Sequence, residues 1–368
     1  MLSFIKKEAV LCISAVLAIL SMFFVPPDTE YIGYINFRVL GLLFSLMAVV
    51  AGLREIKVFD ITADFFAKKC GNIRQLVILL TALCFFSSMV ITNDVALLTF
   101  VPLAISVLSL SGGEDCIIYT VIMQTVAANM GSMLTPMGNP QNLYLADFYS
   151  MSMSEFFSAT IPVCLISGVL IFIMLLPVKR DKIKCELKPD GSELNKRLLA
   201  IYAVLGILAI LAVFNVINYV LLTAITFVCV LIFDRHSLKK IDWFLLLTFI
   251  MFFVFVGNCA RIEAVKAFLG GLTKGREILV GALASQLISN VPAAVMLSAF
   301  TDKGRALMLG VDIGGLGTPV ASLASLISYR IYANTPNSQR GKYMLYFLII
   351  NFALLAVIFL LTKMLIRV

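Results

Sequence analysis

The chain has 368 residues, of which 61% are hydrophobic and only 14% carry a charge. Soluble domains carry about 25% charged residues, so this composition excludes an ordinary water-soluble protein. The net charge of +8 would suit a nucleic-acid partner, but the basic residues cluster between apolar runs. That distribution is typical of membrane topology, in which cytoplasmic loops are enriched in lysine and arginine.

Long apolar runs predict membrane-spanning helices, because about 20 apolar residues cross the hydrocarbon layer. We expect spans at 8–25, 38–53, 157–177, 198–213, 216–233, 243–257 and 343–363, broken helices over 116–146 and 305–331, and re-entrant hairpins over 75–110 and 277–301. Most basic residues then share the side of the N-terminus. This predicts a multi-pass protein of the inner membrane with a cytoplasmic N-terminus and an extracytoplasmic C-terminus.

The two halves of the chain repeat the same features in the same order. Each has a span, a mixed polar segment predicted to be an interfacial helix (54–70 and 258–274), a hairpin, a broken helix and a final span. The second half has one extra span, 198–213, so the number of crossings is odd. We therefore predict that the second repeat runs upside down relative to the first, as in many secondary transporters.

Each predicted hairpin has a polar tip. The tips are Thr92-Asn93-Asp94 and Ser289-Asn290-Val291. Polar backbone at membrane depth persists only where protein encloses it. Two interpretations stay open: the tip residues cap the second limb, or tip oxygens bind a cation while helix N-termini face an anion.

One helical turn before each tip lies a serine, Ser88 in the first half and Ser285 in the second. A serine hydroxyl in a helix either bonds back to its own helix or points toward the tip oxygens. Because the serines match in both halves, the pattern favours a pair of cation sites. Ligation by oxygen alone suits a hard cation such as sodium.

The broken helices are predicted from two stretches rich in glycine, proline and polar residues, 129–142 and 312–325. Glycine permits close approach and unusual backbone angles, and proline frees a carbonyl group. The first stretch contains Gly131, Pro136, Gly138, Pro140, Asn139, Gln141 and Asn142. Together they predict an unwound segment rather than a simple kink.

Asp94 and Asp312 are the acids that we place deep in the bilayer. An intramembrane carboxyl group is costly and therefore a functional candidate, either binding a cation or carrying a proton. The alternatives are a helix cap for Asp94 and an interfacial position for Asp312.

The sequence offers little support for metal binding, enzymatic catalysis or direct use of ATP. The eight cysteines form no Cys-x-x-Cys pair, and the lone histidine, His236, falls in a loop. We expect no transition-metal site, no cofactor and no enzymatic activity. The sequence also lacks a phosphate-binding glycine loop with lysine, which argues against direct use of ATP.

These motifs resemble the ion transporter superfamily, which includes divalent anion/sodium symporters, citrate transporters, arsenite permeases and sodium/proton antiporters. The resemblance implies an all-α fold of inverted repeats, a homodimer, and an elevator mechanism in which a transport domain slides past a scaffold. It implies scaffold segments 1–73 and 198–276, transport segments 74–178 and 277–368, and a cytoplasmic linker over 179–197.

The resemblance also implies roles for individual residues. Gly138-Asn139-Pro140-Gln141-Asn142 is similar to the divalent-anion branch's Gly-Thr-Pro-Pro-Asn. Cation-binding roles carry over to Ser88, Thr92, Asn93, Gly138, Ser285, Ile288, Asn290 and Ala321. Substrate-binding roles carry over to Asn93, Asp94, Asn139, Asn142, Asn290, Val291, Thr318 and Pro319.

The chain departs from that branch where Asp94 and Val291 replace threonine at the tips. An ionised Asp94 would repel a dicarboxylate by several kcal/mol in a poorly screened site. Asn-Asp at the first tip and Asn-x-Pro at the second are more similar to the arsenite permeases.

The sequence thus predicts a secondary active transporter of a small anion or oxyanion, inorganic or carboxylate, coupled to sodium or protons. A sodium/proton antiporter that uses Asp94 is the main alternative, and a channel is the third candidate.

Overall fold

The computed structural model describes residues 8–59, 61–62, 69–183 and 194–365. Among these residues the regular structure is helical, and β-pairing is limited to an isolated bridge between Asn72 and Lys182. In lipid, a helix satisfies its backbone hydrogen bonds within itself. The all-α prediction is confirmed.

The α-helices are numbered here in chain order. They are α1 (Ala9–Met22), α2 (Glu30–Tyr34), α3 (Phe37–Glu55), α4 (Ile73–Ile91), α5 (Asn93–Ser111), α6 (Ile117–Ser132), α7 (Pro140–Phe148), α8 (Met153–Leu175), α9 (Lys196–Val213), α10 (Tyr219–Phe233), α11 (Trp243–Arg261), α12 (Glu263–Thr273), α13 (Glu277–Ile288), α14 (Asn290–Ser298), α15 (Gly304–Ile313), α16 (Leu323–Ala333) and α17 (Arg340–Leu365).

Seven of these helices are long and apolar enough to cross a membrane, namely α3, α4, α5, α8, α9, α11 and α17. The protein is therefore a multi-pass membrane protein. Two helices predicted as spans are shorter: α1 has 14 residues and α10 has 15.

The predicted hairpins correspond to the pairs α4–α5 and α13–α14. The limbs of the first pair have 19 residues each, so each is long enough to cross a membrane by itself. Those of the second have 12 and 9 residues. The predicted breaks are also present, between α6 and α7 and between α15 and α16.

Two predictions fall partly outside the described residues. Residues 60 and 63–68 of the segment 54–70, and residues 184–193 of the linker 179–197, are not among those described. In the matching segment 258–274, residues up to Arg261 complete α11, and α12 forms the separate helix. Phe268 on α12 is 70% exposed. An exposed apolar side chain is expected of a helix that lies at the membrane interface.

Matching helices of the two halves pack in matching ways. Helix α4 packs on α6, and its counterpart α13 packs on α15. In the same way α5 packs on α16 as α14 packs on α7, and α1 packs on α11 as α10 packs on α3. In the last two of these pairs of contacts, an element of one half packs on an element of the other. The two halves are thus interlocked at the breaks, which brings both polar stretches into the protein interior.

Candidate substrate and ion site

The first hairpin turns at Thr92, between α4 and α5. Its backbone has φ of +63°, a region that β-branched residues rarely adopt. Neighbouring contacts hold the turn: Asn93 N–H donates to the carbonyl of Gly138 at 3.1 Å, and Asn93 Oδ1 accepts from Asp94 N–H at 2.9 Å. The tip is therefore tied to the break between α6 and α7.

The second hairpin turns in the same way at Ser289, whose φ is +73°. Asn290 N–H donates to the carbonyl of Ala321 at 2.9 Å, and Asn290 Oδ1 accepts from Val291 N–H at 2.9 Å. The N-cap residues themselves, Thr92 and Ser289, make no side-chain cap bond. Each asparagine, at the first helical position, instead caps one free N–H group of the second limb, close to what one of the two interpretations expects. The carbonyls implied as cation ligands, Gly138 and Ala321, both hold the tips in place.

The predicted serines lie where the first limb of each hairpin meets a broken helix. Ser88 Oγ donates to Phe85 O at 2.9 Å, and Ser285 Oγ donates to Gly281 O at 2.8 Å. Each hydroxyl proton is therefore committed to its own helix, while the oxygen lone pairs stay available to a cation.

Glycine allows the broken helices to approach the hairpins closely. A Cβ on Gly131 would lie 2.1 Å from the Phe85 carbonyl oxygen, and one on Gly314 would lie 2.8 Å from Ser285 Cβ. Real Cβ atoms do not approach backbone so closely, so α6 and α15 depend on glycine at these two positions.

Asn129 on α6 joins the two breaks, although it was not among the predicted site residues. Its Oδ1 accepts from Asn93 Nδ2 at 3.1 Å and from Ser322 Oγ at 3.0 Å. Its Nδ2 donates to Ser325 Oγ and Gly315 O, both at 3.4 Å. Asn129 opens the polar stretch 129–142, which was the available sequence signal.

Asp312 on α15 makes the reciprocal contact with the first break. It is 2% exposed, and its Oδ1 accepts from Asn139 Nδ2 at 3.3 Å and from Gln141 Nε2 at 3.2 Å. Asp312 is thus enclosed by protein. Asn142 lies beside it, fully buried, as a third amide against the carboxyl group.

Thr318, which directly precedes Pro319 in the second break, is held by Gln286. Gln286 Nε2 donates to the carbonyls of Gly314 and Leu316, both at 2.8 Å. Its Oε1 accepts from Thr318 N–H at 2.8 Å, and Thr318 Oγ1 donates to Gln286 O at 3.1 Å. Sequence reasoning missed Gln286, because its counterpart in the first half is Met89.

The first tip opens into a large vestibule of about 1140 Å³. Its lining includes four basic residues, Arg54, Lys57, Lys239 and Lys240, as well as the acidic residues Glu8 and Glu55. We call the part of the protein that carries the four basic residues the basic face. Thr92, Asp94, Asn139 and Pro140 line the vestibule, together with Asp242. The second tip is not among the residues that line this cavity, so the described structure gives the two tips different access.

At the C-terminal end of α7, an ion pair and a hydrogen bond tie the helix to α3. Asp147 accepts hydrogen bonds from Arg38 and, at 2.6 Å, from Asn36 Nδ2. We call these three residues the α3–α7 clasp.

The fold and the site define a polytopic membrane protein in which two hairpins and two helix breaks enclose buried polar residues. Secondary transporters use this construction.

Comparison with known proteins agrees. Residues 1–303 match the citrate transporter family, CitMHS. An uncharacterized transporter of Methanocaldococcus jannaschii, MJ0456, is 32% identical over 86% of each chain. The inner membrane protein YbiR of Escherichia coli is 27% identical over 84% of each chain. A putative transporter of Dictyostelium discoideum, arsB, is 26% identical over 40% of this chain and 26% of its own.

The chain belongs to the citrate transporter family. As a member of this family it is a membrane transporter, which confirms the resemblance to the ion transporter superfamily. The family match ends before α15, so it includes both hairpin tips but not Asp312.

Proposed function

We propose that this protein is a secondary active transporter of a small anion or oxyanion, inorganic or carboxylate, coupled to sodium or protons. The observation that carries the proposal is the match between the two tips: the same positive φ, the same asparagine cap and the same bond to the helix break of its own half. A polar structure built twice at helix breaks is the pattern expected of a transport site.

The matched packing supports inverted repeats and an elevator mechanism. The transport segments would be 74–178 and 277–368, and the scaffold 1–73 and 198–276, with a homodimer formed through the scaffold. The positive-inside rule assigns the basic face to the cytoplasm and the N-terminus with it. In this orientation the vestibule faces inward and gives the first tip access to the cytoplasm.

Cation binding is assigned to oxygen atoms around each tip. In the first half these belong to Ser88, Thr92, Asn93 and the Gly138 carbonyl. In the second half they belong to Ser285, Asn290 and the carbonyls of Ile288 and Ala321. Because both carbonyls at the breaks also accept from the tip asparagines, a bound cation would draw each tip and its break together.

The anion is assigned to the space between the tips, beside the N-termini of α5, α7 and α14. Helix N-termini attract anions through their unpaired N–H groups. Asn93, Asn139, Asn142 and Asn290 supply amides there, with Asp94, Val291, Thr318 and Pro319 at the edges. The negative charge of Asp94 would repel a dicarboxylate, which favours a small anion as the substrate.

A thermal-shift screen of anions, each with and without sodium, tests the proposal. A ligand that binds the folded state raises its apparent stability. Anions that stabilise the protein should then enter proteoliposomes against their gradient when an ion gradient is imposed. Flux that never exceeds equilibrium would instead identify a channel.

A sodium/proton antiporter is the second candidate, because Asp94 faces the vestibule and no side chain among the described residues donates to its carboxylate. Sodium-driven proton movement without any anion, abolished by Asp94→Asn, would favour the antiporter.

A further inference from the structure

The two oxygens of the Asp312 carboxyl group differ in their hydrogen bonding. Its Oδ1 accepts from two amides, whereas its Oδ2 is buried and has no hydrogen-bond partner among the described residues. A bare carboxylate oxygen in a dry interior is very unfavourable. Something at Oδ2 must therefore offset its charge.

Asn142 supplies a second unsatisfied oxygen at the same place. Its Nδ2 donates to Met133 O at 3.1 Å, which fixes the orientation of the amide. Its Oδ1 is then directed away from that carbonyl, and it too is buried without a donor in the described structure. The side chain of Asn142 also lies within hydrogen-bonding reach of the Asp312 carboxyl group, so the same amide brings both an N–H group and an oxygen that can only accept to this place.

A proton suits this pair of oxygens better than a metal ion does. Hard cations take roughly six oxygen ligands, whereas here two are available and the N–H groups of Asn139 and Gln141 point at the carboxyl group. A proton needs one oxygen to carry it and one to accept its hydrogen bond.

The surroundings contain no buried cation that would hold Asp312 ionised. The helices that pack on α15 are α6, α7, α8, α13, α14 and α17. Their buried titratable side chains in the described structure are Glu277 on α13, Tyr144 on α7, Cys164 on α8 and Tyr343 on α17, with none on α6 or α14. All four are neutral or acidic groups, and Cys164 interacts electrostatically with Asp312.

We propose that Asp312 is the proton-binding site of this transporter, with the proton on Oδ2 donated to Asn142 Oδ1. When the Oδ2–H bond breaks, the proton passes to water of the vestibule, which Asn139 separates from Asp312. The carboxylate left behind keeps two amide donors and lies beside the N-terminus of α7, which favours negative charge. Both protonation states are therefore satisfied.

The site joins the two halves, since Asp312 belongs to the second broken helix and its amides to the first. A change of charge there alters the contact between the breaks that hold the two tips. The coupling role rests on the proposed transport function, whereas the protonation of Asp312 does not.

Infrared spectroscopy of the whole protein in lipid bilayers at neutral pH tests for the protonated acid. A carboxylic C=O band should be present in the wild type and lose intensity in Asp312→Asn. Glu277→Gln is the matched control, because Glu277 is also buried but accepts from Gly275 N–H and Thr301 Oγ1; this variant should keep the band. In Asn142→Ala the band should remain but move to higher frequency, because the acid has lost its acceptor.

An unchanged band in Asp312→Asn would overturn the proposal, as would a band that sodium chloride abolishes at constant pH. If Asp312→Asn does not fold, an unshifted spectrum in Asn142→Ala would overturn it as well. Proteoliposomes separate the two proposals: the expected band without any anion transport would reject only the transport function, and transport without the band would reject only the proton site.

Discussion

The two hairpins share a tip but differ in everything around it. Thr92 and Ser289 turn the chain through the same backbone conformation, and Asn93 and Asn290 make the same bonds. The first hairpin has long limbs and a tip that opens to the vestibule. The second has short limbs and a break fastened by Gln286. The comparison separates what the site needs, the capped and tethered asparagine, from what each half adds for access or rigidity.

The largest expected effect comes from removing what the tips share. Asn93→Ala and Asn290→Ala should each abolish anion uptake into proteoliposomes, because each loses both the cap and the site oxygen. Asn351→Ala is the control, since this buried asparagine on α17 donates to its own helix and should leave uptake intact. Uptake at the wild-type rate in either tip variant would refute the site assignment.

The glycine contacts predict which of the two hairpins packs more tightly against its broken helix. Gly131→Ala and Gly314→Ala each overpack a broken helix against a hairpin, which typically costs about 1–3 kcal/mol. We expect Gly131→Ala to lower the Tm more, because its Cβ would meet a backbone oxygen at 2.1 Å, whereas the nearest atoms to a Cβ on Gly314 lie 2.8 Å away. Equal Tm values in detergent would show that the closer contact relaxes freely.

Gln286 tests the rigidity of the second break. Gln286→Leu leaves the carbonyls of Gly314 and Leu316 without their donor, at a cost of about 1–3 kcal/mol for each buried group left unpaired. The matched substitution in the first hairpin, Met89→Leu, conserves volume and should cost less than about 1.5 kcal/mol. Denaturation of the two purified variants gives the comparison, and similar losses would contradict the special role of Gln286.

A substitution of Asp94 tests whether its charge excludes dicarboxylates from the site. Asp94→Thr removes a negative charge from the vestibule and should let a dicarboxylate such as succinate bind, seen as a thermal shift absent from the wild type. Val291→Thr is the matched change at the second tip and should have a smaller effect, because it removes no charge. Succinate binding by the wild type would contradict the exclusion.

The smallest expected effect lies at the end of α11, at the contact between Arg261 and Asp28, which belongs to the loop between α1 and α2. The Arg261 hydrogen bond holds the pKa of Asp28 below its usual value. This contact therefore stabilises the folded state above the usual pKa of an aspartate, and the stabilisation is lost as pH falls through the lowered value. Arg261→Gln should lower the Tm slightly at neutral pH, and the difference should vanish in strong acid; a difference independent of pH would refute the ionic contribution.

The sequence predicts the tips and breaks well because polar, glycine and proline residues are conspicuous inside apolar helices. It places Thr92, Ser289 and the unwound segment after Ser132 nearly where the structure has them. It does not predict Asn129 or Gln286, because their importance depends on contacts between distant helices. Helix lengths were also difficult to predict, since apolar residues follow the end of α1, at Phe23 to Val25, and precede the start of α10, at Val216 and Ile217.

The α3–α7 clasp has a consequence for the rate of the cycle. If α7 moves with the transport segments while α3 stays in the scaffold, every excursion must first rupture the contacts of Asp147 with Arg38 and Asn36. Both ionic groups are partly exposed, at 28% for Arg38 and 14% for Asp147, so dissolved salt screens their attraction. The transport rate should then increase with ionic strength on the side of the membrane opposite the basic face, because the ion pair between Arg38 and Asp147 would slow the movement of α7.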